Sequence, residues 1–315
     1  MTNIYAYSET SLLQAADIIK NGGLVAFPTE TVYGLGANVF NAKAVANIFA
    51  AKGRPTFNPL ISHIAELDTL FELAETDERV IALAKKFWPG PLTFVLNRKN
   101  MSSSLDLACA GLKTMTVRMP NHPIALALIK ASDVPIAAPS ANRSQSISPT
   151  TARHVEESLG SKVDMILDGG SCKVGVESTI IDLTTPQVVM LRAGGLAKED
   201  IEAFLQEKVL ISHGNPELPS SPGQLLKHYA PKLPFRINVL PSNRQETEFY
   251  IGFGEMDGNL NLSPDGDLTE AASNLFAYMH LAESQTDYSY IAMAPIPETG
   301  LGLAINDRIR RASYK

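Results

Sequence analysis

The sequence predicts an α/β protein with two units, a larger first one and a smaller second one. Three observations carry that prediction. Short apolar runs of strand type alternate with amphipathic helical stretches through roughly the first two hundred residues. A stretch rich in Pro, Ser and Gly, about 206–235, interrupts the alternation. Near residue 236 a second series begins, in the order β, β, α, β, α, which suits a small α/β domain. The expected bounds are a first domain over 1–205, a linker over 206–235 and a second domain over 236–315. A length of 315 residues agrees with two domains at ~150 residues each.

The first helix is read from Ser11-Leu-Leu-Gln14 as a capping box, with Ile18 and Ile19 on its apolar face and a stop at Asn21-Gly22-Gly23. Leu24–Phe27 is a short buried strand. Asn41 caps a helix that places Val45, Ile48 and Phe49 on one face, and Gly53 closes it. Strands are expected at Pro59–Ile64, Leu92–Leu96, Thr114–Arg118, Pro135–Ala138, Asp164–Leu167, Ser178–Leu183 and Val188–Leu191. Helices are expected at about 77–87, 123–131 and 150–159, the last with Ser148-Pro149 as cap and first residue. In the second unit the expected strands are Arg236–Leu240, Phe249–Gly252 and Tyr290–Ala294, and the helices about 268–281 and 300–311.

Composition excludes several classes. Apolar residues make up 45% and charged residues 19%, which is globular and neither disordered nor coiled-coil. No apolar run approaches the ~18 residues of a membrane span, and the N-terminus has no secretory pattern. The two cysteines, Cys109 and Cys172, lie far apart, which argues against a disulfide framework or zinc finger and for a cytoplasmic protein. The net charge is −6, from 27 basic and 33 acidic residues, so tight nucleic-acid binding is not expected.

The familiar nucleotide motifs are missing. Gly34-Leu-Gly36, Gly252-Phe-Gly254 and Gly300-Leu-Gly302 lack a third glycine, and Val176 stands where a P-loop needs Lys. Other segments carry chemistry instead. Pro28-Thr-Glu-Thr-Val-Tyr-Gly-Leu-Gly36 sets hydroxyls and a carboxylate directly after a buried strand, although a well-formed turn would read the same. Lys52-Gly-Arg54 puts two cations at a helix end, and Asn58 and His63 add neutral donors in a loop stiffened by two prolines. Taken alone the pair could be a solvated helix end that complements the dipole. Ser140 to Thr150 is a polar loop before a helix, a setting that can bind an anion. Arg118 and Arg192 each end an apolar strand and could clamp a carboxylate, although surface pairing is commoner for arginine.

These segments, in this order, resemble the Sua5/YrdC family, the L-threonylcarbamoyladenylate synthases, over nearly the whole chain. Lys52, Arg54, Ser140 and Asn142 are similar to the family's Lys-x-Arg and Ser-x-Asn set. Phe27–Leu35 is similar to its opening signature, and Pro222-Gly223 with His228-Tyr-Ala-Pro231 to the linker of the long, two-domain Sua5 type. Gln224 departs from the Met expected after Pro222-Gly223. The resemblance implies a YrdC-like twisted open α/β sheet followed by a smaller Rossmann-like α/β Sua5 domain. It implies ATP with Mg2+, L-threonine and bicarbonate as substrates, and threonylcarbamoyl-AMP and pyrophosphate as products. The product would pass to downstream t6A-transfer proteins that modify tRNA. By motif position Lys52 and Arg54 would be catalytic. Arg54, Asn58, Thr114, Ser140, Asn142, Ser148, Arg192 and Tyr229 would hold ATP. Thr31, His63, Arg118, Ala138 and Ser178 would hold threonine, with no metal ligand from the protein. The alternative is an RNA-binding module without nucleotidyl transfer.

Overall fold

The computed structural model describes residues 3–99, 103–212, 221–222 and 228–314. The chain opens with β1 (Ile4–Ala6), α1 (Glu9–Lys20), β2 (Val25–Phe27), β3 (Gly34–Asn38), α2 (Ala42–Lys52) and β4 (Ile61–His63). It continues through α3 (Leu67–Leu73), α4 (Glu78–Phe87), β5 (Leu92–Asn97), α5 (Ser103–Asp106), β6 (Thr114–Arg118), α6 (Pro123–Ser132) and β7 (Ile136–Ala137). Next come α7 (Ala152–Leu159), β8 (Met165–Asp168), β9 (Thr179–Asp182), β10 (Val189–Arg192), α8 (Lys198–Leu205) and β11 (Leu210–Ile211). The second series is β12 (Phe235–Arg236), β13 (Glu248–Gly252), β14 (Leu260–Asn261), α9 (Leu268–Glu283), β15 (Tyr290–Met293) and α10 (Gly302–Ala312).

The first eleven strands form one mixed sheet, in the order β1-β8-β2-β3-β7-β4-β6-β5-β9-β10-β11. Alternation explains its two layers. Val25 and Phe27 of β2 face α1 and α6, packing with Ile19, Ile124 and Leu128. Ala26 faces the other way, in the core that holds Val45, Ile48 and Phe49 of α2. The last four strands form a separate parallel sheet, β12-β15-β13-β14, whose core holds residues of α9 and α10. An α/β protein with two sheets is therefore what the sequence predicts.

The second core does not stop at its own unit. Val32, Ile147, Val176 and Tyr229 belong to the same buried cluster as Leu275, Phe276, Ile305 and Ile309. Gly175 permits this contact. It has φ +74°, and a Cβ there would lie 2.4 Å from the Ala272 carbonyl oxygen and 2.5 Å from Ser273.

Several elements differ from the sequence expectation. The first capping box is Ser8 with Ser11, one turn earlier than Ser11 with Gln14, because β1 already delivers the chain to Ser8. Gly34–Asn38 is a strand although glycines usually weaken one. A Cβ at Gly36 would lie 2.8 Å from both Ile136 and Phe27, so close packing requires the glycine. Helix α7 starts at Ala152 with Thr151 as its cap, and Ser148 is no cap. The expected strand Arg236–Leu240 shrinks to Phe235–Arg236, since Asn238 takes φ 56° and leaves the strand conformation. Sequence periodicity also missed β1, α3 and α8.

Candidate active site

The sheet pairing brings the C-terminal ends of β6 and β10 and the start of β9 to one edge. β4 runs parallel to β6, which sets His63 beside Arg118. β9 runs parallel to β5 and antiparallel to β10, so Ser178 and Arg192 meet at the same edge. A cavity opens there, lined by Thr31, Arg54, His63, Arg118, Ala138, Ser140, Glu177, Ser178 and Arg192 among others. Pro222, His228 and Tyr229 of the expected linker also line it. Its volume is about 50 Å³, enough for a few waters and far below the ~300–1,000 Å³ of a site holding a drug-sized ligand.

At one end Arg118 pairs with Glu30 at 2.6 Å, and both side chains are buried. Arg118 also donates to Thr31 Oγ1 at 3.0 Å and to the Gly90 carbonyl at 3.2 Å. Thr29 Oγ1 lies 2.8 Å from Thr31 Oγ1 and donates to the Val32 carbonyl, so the hydroxyls are held in a fixed loop. His63 Nδ1 lies 3.2 Å from the Ile61 carbonyl. Burial, and then the charge of Arg118, lower the His63 pKa to about 3, so the ring is neutral at pH 7.

At the other end are three cations. α2 terminates on Gly53 in the left-handed conformation, φ 62°, and that turn sends Lys52 and Arg54 inward. The Lys52 ammonium donates to the carbonyls of Ser140 and Asn142. Arg54 donates to the carbonyls of Asn58 and Pro59. Arg192 donates to the Ser178 carbonyl at 2.8 Å and to its hydroxyl at 3.1 Å. All three are buried, and among the described residues none has a carboxylate within ion-pair distance. Burial, and then Arg54, push the Lys52 ammonium well below its usual range. Burial, and then Arg192, lower Arg54 to about 10. A buried cation with only neutral partners is costly unless an anion joins it.

Glu177 lies close by, but it is already engaged. It pairs with Arg308 of α10 at 2.9 Å and accepts from Ser148 Oγ at 2.5 Å. Burial alone would raise its pKa. Arg308, then Arg192, then the Ser148 hydroxyl outweigh that and hold it at about 2.

Residues 17–194 match the profile of the Sua5/YciO/YrdC family, described as telomere recombination. Residues 196–313 match the C-terminal domain of threonylcarbamoyl-AMP synthase. The chain belongs to the Sua5/YciO/YrdC family. It is 43% identical to a threonylcarbamoyl-AMP synthase of Pyrococcus abyssi, over 95% of this chain and 93% of that one. It is 40% identical to the Bacillus subtilis threonylcarbamoyl-AMP synthase, over 99% and 96%. The structure of P. abyssi Sua5 complexed with L-threonine superposes with a TM-score of 0.89 at 39% identity, covering 99% of this chain and 97% of that one. The two-unit fold is thus the YrdC-like sheet plus Sua5 domain that the motifs implied.

The cavity gathers Arg54, Ser140, Arg192 and Tyr229 with Thr31, His63, Arg118, Ala138 and Ser178. Lys52, Asn58, Asn142 and Ser148 are buried but do not line it. Asn142 donates to the Ser146 carbonyl, and among the described residues the side-chain oxygens of Asn58 and Asn142 have no hydrogen-bond partner. Thr114 does not join them. It begins β6, opposite Asn97, while Arg118 ends the same strand, roughly 13 Å away at ~3.3 Å per residue. Sequence reading missed Glu30 and Glu177 as site residues, and it missed Arg308 and His228. Glu30 and His228 stood inside quoted motifs without a role. Arg308 carried one usable signal, since it occupies the apolar face of α10 with Ala304, Ile305 and Ala312.

Proposed function

We propose that this cavity makes threonylcarbamoyl-AMP and pyrophosphate from L-threonine, bicarbonate or its CO2, and ATP, the reaction named for its relatives. One observation carries the reading: three buried cations without carboxylate partners lie beside a neutral pocket of hydroxyls, a histidine and a paired arginine. The cations suit a triphosphate. The neutral end suits a small zwitterion with a hydroxyl.

The chemistry follows from that division. Threonine's neutral amine adds to CO2 and loses a proton, giving a carbamate. A carbamate oxygen attacks the α-phosphorus, and the bond to the bridging oxygen of pyrophosphate breaks. The carbamate and ATP are both anionic, so Lys52 and Arg54 offset charge that grows on the leaving pyrophosphate. Arg192, Asn58, Ser140, Asn142 and Ser148 hold or position the nucleotide. Arg118 anchors the threonine carboxylate, and Thr31, His63, Ser178 and the Ala138 carbonyl read its amine and side chain. No nucleophilic side chain is needed, and the catalysis is positioning plus electrostatics. Both nearby carboxylates, Glu30 and Glu177, are held by arginines, so Mg2+ would arrive with ATP as part of the substrate.

His228 and Tyr229 would act as a lid. Tyr229 is buried with φ 61°, a conformation that costs a tyrosine ~1–3 kcal/mol and persists only where its surroundings hold it. A lid would shield the carbamate and the mixed anhydride from water. Gly223 and Gln224 of the same linker motif lie outside the described residues. The product would be handed to t6A-transfer proteins in the cytoplasm. Direct tRNA binding is expected to be weak at a net charge of −6. The test is exchange of labelled pyrophosphate into ATP. It should need both threonine and bicarbonate. Exchange that ignores either one, or tight salt-sensitive tRNA binding with no exchange, would overturn the assignment.

A further inference from the structure

Helix α10 belongs to the second unit, yet one of its side chains ends inside the first. Arg308 is fully buried. Its Nε donates to Glu177 Oε2 at 2.9 Å, and Nη1 donates to the Ala193 carbonyl and to Asp307, each at 2.8 Å. The plane of the group also serves a purpose. The guanidinium carbon sits 5.3 Å from the centroid of the Tyr229 ring. The ring also meets Phe276 of α9, stacked at 5.4 Å, and His228 at 3.9 Å. Two more backbone bonds tie the segment down. The His228 N–H reaches the Arg311 carbonyl at 3.4 Å, and the Ala230 N–H reaches the Gln145 carbonyl at 2.8 Å.

We infer that Arg308 is a positioning residue, the catch by which the second unit holds His228 and Tyr229 closed over the cavity. The inference rests on reading that cavity as the substrate pocket. Three features support it. Tyr229 has a backbone conformation that needs outside support, and Arg308 together with α9 supplies it. Arg308 grips two parts of the cavity lining at once, Glu177 and Tyr229. A cavity of about 50 Å³ is too small for a nucleotide, and Tyr229, which Arg308 holds, forms part of its lining. The second unit therefore takes part in each turnover without touching the reacting atoms. A shift of α10 would open or close the pocket, so anything that binds the second unit could control the enzyme.

The experiment separates the catch from a plain counter-ion for Glu177. Arg308→Lys keeps the positive charge beside Glu177 but loses the flat face over Tyr229. Its melting temperature should stay close to that of the unaltered protein. Its KM for ATP should rise by roughly two- to thirty-fold, the range expected for a desolvated cation–π contact, with kcat at saturating ATP little changed. ATP consumed without threonylcarbamoyl product should increase. Tyr229→Ala should do the same. In a Tyr229→Ala background, Arg308→Lys should add nothing further, because the contact through which it acts is gone. If Arg308→Lys leaves KM and coupling unchanged while Tyr229→Ala alters them, the lid stands and the catch is wrong. If Tyr229→Ala is silent as well, the lid itself falls and the catch with it. Additive effects in the double variant would also refute the coupling.

Discussion

The two ends of the cavity treat their cations differently. Arg118 at one end is neutralised by Glu30 at 2.6 Å. Among the described residues, Lys52, Arg54 and Arg192 at the other end meet carbonyls and a hydroxyl and no carboxylate within ion-pair distance. The carboxylate nearest them, Glu177, is claimed by Arg308. The difference shows how one small space can sort its ligands. A pre-paired arginine offers hydrogen-bond geometry with little net charge, so it suits a single carboxylate on a zwitterion. Three unpaired cations in a buried site offer an unbalanced field, which only a polyanion balances.

The largest expected effect breaks the charged end. Lys52→Ala and Arg54→Ala should each lower product formation by roughly 10²–10³, as the loss of a transition-state charge contact typically does. The folded state should not suffer in proportion, because each change removes a buried cation with no ion-pair partner. Melting curves beside rate measurements check both halves. A folded variant with near-normal turnover would remove these residues from the mechanism. Glu30→Gln sharpens the contrast from the other end. It frees Arg118 and should disturb the KM for threonine far more than that for ATP.

The next effect probes the neutral end. Serine lacks only threonine's methyl group, which in an apolar pocket is worth ~1–3 kcal/mol. Serine should therefore react ~10–200-fold less efficiently than threonine. Valine keeps the shape and loses the hydroxyl that Thr31, His63 or Ser178 would bind, so it should do worse. Competition between the three amino acids in one assay gives the ratios directly. Valine turning over better than serine would mean that this end reads shape and not the hydroxyl.

The same contrast explains what the sequence could reveal. Lys52, Arg54, Ser140 and Arg118 were legible because short motifs fix a chain end against a glycine or a strand. The unbroken apolar run Leu24–Phe27 marked a strand buried on both sides. The strand order was not legible, since nothing local tells β2 that its neighbours are β3 and β8. Ser8 was passed over as a cap because Ser11 matched the same pattern one turn later. Arg308 was hidden by distance, 131 residues from its partner Glu177. Only its place on an apolar helix face set it apart from Arg310 and Arg311, which pair with Glu298 and Asp307 nearer the surface.

A further expected effect is on stability against acid, and it compares the two ends through their histidines. His63 sits at the end with Arg118, and His228 at the end with Lys52 and Arg54. Burial is the main cause that lowers each to about 3 from an ordinary 6.5. Both are therefore neutral in the folded state where the unfolded chain would protonate them. Between pH 6.5 and about 3 the unfolded state binds more protons, so stability rises with pH across that window and is complete above it. Each histidine contributes a slope of up to ~1.4 kcal/mol per pH unit. Glu177 adds to the acid side only lower down. Its folded value of about 2 against 4.5 gives stability that is present above 4.5 and lost as the pH falls toward 2. Urea unfolding at pH 7.5, 6 and 5 should show a falling midpoint. His63→Gln and His228→Gln should each remove about one proton from that slope, and by the same amount despite their different neighbours. An unequal loss would mean that the cations, and not burial, set one of the two histidines, and the charged end would then act on its own lid as well as on the nucleotide.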